Sequence, residues 1–313
     1  QLEVVTGSAT QSGVISEVGG ARPLEKIGAG ELTLSGTNSF TGDLTISEGT
    51  LSVDNGAALA DSVDVIVDDG ATLNLKDDET IASLASSVGA ALDGATLSVG
   101  GNELSVLGAA STTFNGAYTG TSLGTIANFG SGTLELTGDG SGFTGVMGAA
   151  GAGGEMAITG AGTTRAAVVV GDFGATFSTD GGAILASNAV LAVDGEATFT
   201  GSETVGSITN GSPDGNAIGI ITLTGAGTLL TVTGEASAMN PTSINGTNGL
   251  VTGDGTLNIT GGSFNVGATG NVLTATTVGA SGTVVNDGQM TDVSNAGTVT
   301  NNGTGNILGT LTN

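Results

Sequence analysis

The phrase Gly-x-Gly-x-apolar-x-apolar-x-Gly stands at Gly28–Gly36, Gly130–Gly138 and Gly253–Gly261, and with one residue added at Gly225–Gly234. Its apolar residues alternate with polar ones, as in Leu32-Thr33-Leu34, which is the period of two of a strand bounded by glycine corners. Leu44-Thr45-Ile46 repeats the alternation after the turn-rich stretch Ser35–Gly42. A longer period is superimposed on the short one. Leu51, Leu73 and Leu97 follow at separations of 22 and 24, and Phe177 and Phe199 at 22, which assigns both phenylalanines to the inward slot of those leucines. Units of this length, holding two or three short strands with Gly or Asn at the corners, bring the chain back above its own start. That geometry is an all-β, elongated β-solenoid. At ~4.8 Å per stacked coil, about 14 to 15 coils would extend on the order of 70 Å.

Composition narrows what such a coil can do. There are 59 glycines, but the chain is also 38% hydrophobic and rich in Val, Ile and Thr, so order is expected over disorder. Four cations (Arg22, Lys26, Lys76, Arg165) face 29 acids, giving a formal charge of −25. No basic patch exists to neutralise a phosphate backbone, which excludes nucleic acid as a partner. No apolar run approaches the ~20 residues of a spanning helix, so no membrane insertion by this segment is expected. The absence of cysteine fits export across a bacterial envelope and equally a reducing cytosol. A start at Gln1 without Met reads as a processed or truncated product.

Along the chain, residues 1–281 read as solenoid and residues 282–313 as shorter Asn/Gly-rich coils continuous with it. In the latter, Asn286, Asn295 and Asn301 each stand two residues before a glycine. Asn tolerates left-handed backbone and bonds local amides, and stacked amides form ladders, so both Asx turns and an Asn ladder are compatible with the pattern. Thr80–Leu92 has helix-like spacing but is interrupted at Val88-Gly89, and reads as strand and corner. Met147–Met156, rich in Gly and Ala, reads as an exposed loop.

Leu24–Leu59, "LEKIGAGELTLSGTNSFTGDLTISEGTLSVDNGAAL", closely resembles the passenger-associated transport repeat, also called the autotransporter-associated β-strand repeat, of bacterial surface and secreted proteins. Gly28, Gly30, Asn38, Phe40 and Gly42 carry the match. Asp68–Ser86 resembles the linking coils of such proteins, and a second cycle begins around Thr112–Gly145. The resemblance implies a right-handed parallel β-helix on the cell surface or released outside the cell. It also implies partners among other protein copies or the surface molecules of host or neighbouring cells.

Chemically active side chains are scarce against that background. Asp68-Asp69 and Asp77-Asp78-Glu79 are the only clustered acids, and paired carboxylates could in principle do acid/base work on a glycan. There is, however, no histidine and almost no cation to stabilise a developing anion, so a lyase mechanism is poorly supported and no enzyme is expected. No cofactor is expected, with calcium the one candidate: Asp61, Asp64, Asp68, Asp69, Asp77, Asp78 and Glu79 stand close together in the sequence, and hard cations take oxygen ligands. Their spacing matches no EF-hand or nonapeptide repeat; the bland reading is a solvated acidic face. Phe177 and Phe199 are expected in the core and not as a stacking platform. The functional expectation is a non-enzymatic extracellular stalk or adhesin body. The alternative is a self-assembling subunit of a filament or surface layer, calcium-stabilised or not. The ends bear on that choice: Glu3, Glu17, Arg22, Pro23, Glu25 and Lys26 compose a protected N-terminal end. Val293–Asn313 carries no charge and no proline, favouring end-to-end association or further coils.

Overall fold

The computed structural model describes residues 1–87, 94–151, 153–160, 162–170, 174–180, 185–210, 219–234, 243–244, 249–266, 270–303 and 305–313. The fold is a parallel β-solenoid, about 53% strand, and no helix occurs among the described residues. The chain forms two compact units, Gln1–Met147 with Gly153–Arg165, and Gly148–Ala152 with Ala166–Asn313.

In the first unit each coil lays short strands onto those of the coil before it. One parallel sheet runs in the order Leu2–Glu3, Leu24–Ile27, Leu44–Ile46, Asp64–Val67, Ser83–Ser86. A second runs Ser8–Gln11, Glu31–Leu34, Thr50–Val53, Thr72–Leu75, Thr96–Gly100, Ala117–Gly120, Gly142–Phe143. The inward slot of this second sheet stacks Leu32, Leu51, Leu73, Leu97 and Tyr118 in register, so the intervals between leucines in the sequence are true coil lengths. Each of the last four is at most 1% exposed. Burying such a side chain contributes about 1.5–3 kcal/mol, which is why register is strongly specified: a slip by one residue would turn the whole column outward.

The second unit follows the same rule with changing coil length. Thr176–Thr179, Glu196–Phe199, Ile220–Leu223, Leu250–Gly253, Asn271–Val272, Gln289–Met290 and Asn306–Ile307 stack in parallel. Val251, Val272, Met290 and Ile307 follow one another at diminishing intervals, so the coils shorten where the sequence becomes Asn-rich. Two copies of the glycine phrase lie directly on one another, Leu230 on Leu257 and Val232 on Ile259.

Two expectations are corrected. Met147–Met156 is not an exposed loop: Val146–Ala149 and Glu155–Ile158 are strands, and Met147, Ala149 and Met156 are buried. Small residues between the methionines hid a period of two that the inward positions nevertheless keep. Phe177 and Phe199 are buried as expected but do not share a slot: Phe177 faces Ala197, and Phe199 faces Thr179. One full coil runs from Phe177 to Ala197. The longer interval to Phe199 adds one step of two along the strand, which preserves the inward direction. The rings meet edge-on at 6.3 Å instead of stacking. Thr80 and Ile81 lie in one strand and Ser83–Ser86 in the next, with a bend at Ala82 between them, whereas Val88–Leu92, with its glycine interruption, and Phe173 lie outside the described residues.

Candidate functional site

The most chemically unusual part of the molecule is the coil at residues 24–53. In Leu24–Ile27 the period of two points Leu24 and Lys26 inward, opposite Leu44 and Ile46. Lys26 is 1% exposed, and its Nζ donates to the carbonyl oxygens of Ile27 (3.2 Å), Gly28 (2.7 Å) and Glu48 (2.8 Å). Burial pulls this ammonium below the usual lysine value, while the Glu48 carboxylate acts against that shift. Lys26 therefore does not belong to a charged protective end, as its neighbours in sequence suggested; it ties a corner to the next coil. The inward register is the signal that could have revealed it. Gly28 has φ +78°, and a Cβ there would meet the Val4 carbonyl oxygen at 2.6 Å, so backbone packs against backbone at this corner.

Asn38 stitches three coils. Its Oδ1 accepts from the Ile15 amide (2.7 Å), its Nδ2 donates to the Ala58 carbonyl (2.7 Å), and Phe40 beside it is 2% exposed. In the second cycle the matching place is Gly140, which offers no side chain. Tyr118, in the coil before, spans the gap, its hydroxyl donating to the Thr163 carbonyl at 2.5 Å. Burial pushes the Tyr118 phenol well above its ordinary value. Nothing in the local sequence signals that a tyrosine from another coil assumes the bridge.

The acids from Asp61 to Glu79 are dispersed over several faces. Asp64 Oδ1 accepts from Ser83 Oγ (2.5 Å), Asp69 Oδ1 from the Gly94 amide (2.5 Å), and Asp78 Oδ1 from the Glu103 amide (2.8 Å). Asp77 Oδ1 accepts from the Asp78 amide, and the Asp68 carbonyl closes a turn with the Ala71 amide. Asp61 lies close enough to Glu79 to raise its pKa. Among the described residues no group of three or more acids is placed to hold a metal ion. Nearby, Ile15, Glu17, Arg22 and Phe40 border an open groove of about 400 Å³, in which Glu17 is already engaged by the Thr41 hydroxyl and amide and by the Arg22 amide.

Residues 24–53 match the family described as passenger-associated-transport-repeat. Over this stretch the chain is similar to that repeat. It is also 35% identical over 159 residues to the adhesin BmaC autotransporter of Brucella suis biovar 1 (strain 1330). That alignment covers 50% of this chain and 4% of the adhesin. No solved structure matches the chain. The match to the repeat ends at residue 53, and Lys26, Gly28, Asn38, Phe40 and Glu48, which build the clamp and the asparagine bridge, all fall inside it.

Beyond the passenger repeat, asparagine performs a similar task at other corners. Asn286 is fully buried; its Oδ1 accepts from the Gly288 amide (3.1 Å), while Nδ2 donates to Asn301 Oδ1 (2.6 Å) and the Asn306 carbonyl (3.3 Å). Asn295 pairs with the Gly297 amide and Asn313 in the same manner. Asx turn and ladder, both compatible with the sequence, thus coexist: oxygen turns the corner and nitrogen reaches the next coil. Asn128, missed in the sequence, does likewise through the Gly130 amide and the Gly132 and Glu155 carbonyls. Replacing Asn286 by alanine is expected to cost about 2–3 kcal/mol in urea unfolding. Asn286→Asp should cost more at neutral pH than in acid, since an ionised carboxylate would face Asn301 Oδ1 without a proton to share.

Two further corners are closed by buried carboxyls. Glu79 and Glu203 are each 3% exposed, and each begins a strand followed by Thr, then an apolar residue and a serine four places on, Ser83 and Ser207. Glu79 Oε2 accepts from the Leu59 amide (3.2 Å) and Oε1 from the Thr80 amide (3.1 Å); Glu203 Oε2 accepts from the Leu185 amide (2.9 Å). Burial raises both to about 7, against the amides that lower them. A carboxyl near neutrality is what a general acid requires, but these two are sealed from any substrate atom.

Proposed function

We propose that this segment is a non-enzymatic, adhesive or structural β-solenoid of a bacterial surface protein, held outside the cell as stalk or adhesin body. The observation that carries the reading is the passenger repeat itself, folded as a coil whose polar residues are directed at other coils: Lys26 at three carbonyls, Asn38 at the coils on either side. The similarity to an autotransporter adhesin supports the same reading. So does the use made of its acids, which accept hydrogen bonds from hydroxyls of adjacent coils: Glu25 from Ser47, Glu31 from Ser52, Glu135 from Thr113 and Glu155 from Thr133. A coil that templates the next buries its apolar residues as the chain emerges, which suits delivery to the surface. Its partners are surface molecules of host or neighbouring cells.

Displaying the chain on bacteria that lack adhesins should increase their attachment to cell layers, and heat-unfolded protein should not compete with it. The same preparation incubated with a panel of glycans should release no reducing ends. Turnover that disappears on substituting a carboxylate would replace this reading with an enzymatic one.

A further inference from the structure

The corner closed by Glu203 is unlike the others because its carboxyl is only half used. Oε2 accepts from the Leu185 amide, whereas Oε1 is buried and makes no hydrogen bond. Thr179 Oγ1 stands beside it, equally buried and also without one. The described elements packed around the group are neutral: Thr176–Thr179 contributes the Thr179 hydroxyl, Leu185 an amide, and Leu229–Val232 the apolar Leu230 in register with Glu203. None of these elements carries a charged side chain, so no cation on them balances an ionised carboxylate.

We propose that Glu203 is a proton-binding site that closes its coil: it is held as the neutral acid in the folded chain and released as the carboxylate on unfolding. The neutral acid suits the surroundings. Its carbonyl oxygen accepts the Leu185 N–H, and its O–H is placed to donate to Thr179 Oγ1, whereas an ionised group would be desolvated between one amide and one hydroxyl. Burial is the dominant cause of its shift to about 7, opposed by the Leu185 amide and the Thr179 hydroxyl. Folding at mildly acidic pH then takes up one proton from solvent at this corner.

The direction of the pH dependence follows from the folded value lying above the ordinary 4.5. The contribution of Glu203 is complete below about 4.5 and is lost as pH rises through about 7. Urea unfolding of the full chain at high fixed salt, which screens the overall negative charge, should show this against Glu203→Gln, a neutral group of the same shape. Between mild acid and alkaline pH the unfolding constant of the unaltered chain should rise relative to the variant by on the order of a hundredfold. The exposed Glu196→Gln should follow the unaltered chain throughout. Parallel curves for Glu203→Gln and the unaltered chain would overturn the proposal. Should Glu203→Gln fail to fold, the carboxyl carbon resonance of Glu203 in the unaltered chain decides alone. A midpoint near neutrality upholds the site, and one in the ordinary carboxylate range removes it.

Discussion

Lys26→Met is expected to lower the stability of the first unit by about 3–4 kcal/mol, read as the loss in unfolding free energy in urea. Methionine matches the apolar stem of lysine, so the packing of residue 26 on Ile46 is kept. What disappears is the ammonium, and the carbonyls of Gly28 and Glu48 lose a donor at 2.7 and 2.8 Å in a place water does not reach freely. Removing a buried charge regains part of its desolvation cost, which is why the expected loss is smaller than three charge-assisted bonds would suggest. Lys26→Arg should recover little, because a planar fork does not converge on three carbonyls as a compact ammonium does. A loss below about 0.5 kcal/mol for Lys26→Met would show the clamp to be incidental.

Gly140→Ala should destabilise by about 3 kcal/mol or more, through overpacking with no place to relax. A Cβ at this position would overlap the Tyr118 ring and the Thr163 carbonyl oxygen, the two ends of the hydrogen bond that crosses above it. Neither can withdraw: the ring is fully buried against Phe143, centroids 6.1 Å apart, and the carbonyl belongs to a strand in register with Asp139–Gly140. Shrinking the ring should relieve the conflict, so Tyr118→Leu combined with Gly140→Ala is expected to be less destabilised than the sum of the two alone. Gly227→Ala serves as comparison, since no atom lies within 4 Å of its added Cβ, and should be close to neutral. Strict additivity in the double variant would mean that the glycine is required for some reason other than the tyrosine bridge.

The acidic composition acquires a physical meaning in this arrangement. Glutamates on strands stand beside threonines of an adjacent coil, Glu31 with Thr50, Glu25 with Thr45, Glu103 with Thr125 and Glu155 with Thr133. Stacking carboxylates at ~4.8 Å would repel along a column, and alternating them with hydroxyls avoids this. The salt bridge Lys76–Glu31, at 2.9 Å and about two-fifths exposed on each side, adds little by comparison.

Alternating apolar residues and the recurrent glycine phrase were enough, read from the sequence, to determine the coils and the column of Leu51, Leu73 and Leu97, and the stretch from Leu24 resembles the passenger repeat in its own residues. Those features depend on local period, which a strand and its corner express within a short stretch of chain. What decides the polar corners is a distance along the chain of about one coil, or two for the tyrosine bridge. Lys26 meets Glu48, Asn38 meets Ile15 and Ala58, Tyr118 reaches Thr163, and Glu203 meets Leu185. Coil length in the second unit ranges from the long turn between Ile221 and Val251 to the short one between Val284 and Val299, so no fixed spacing predicts such partners. The seven acids near Asp68 illustrate the converse: close in sequence, they are carried onto different strands and turns, because a solenoid sends neighbours around the coil and brings together residues a full turn apart.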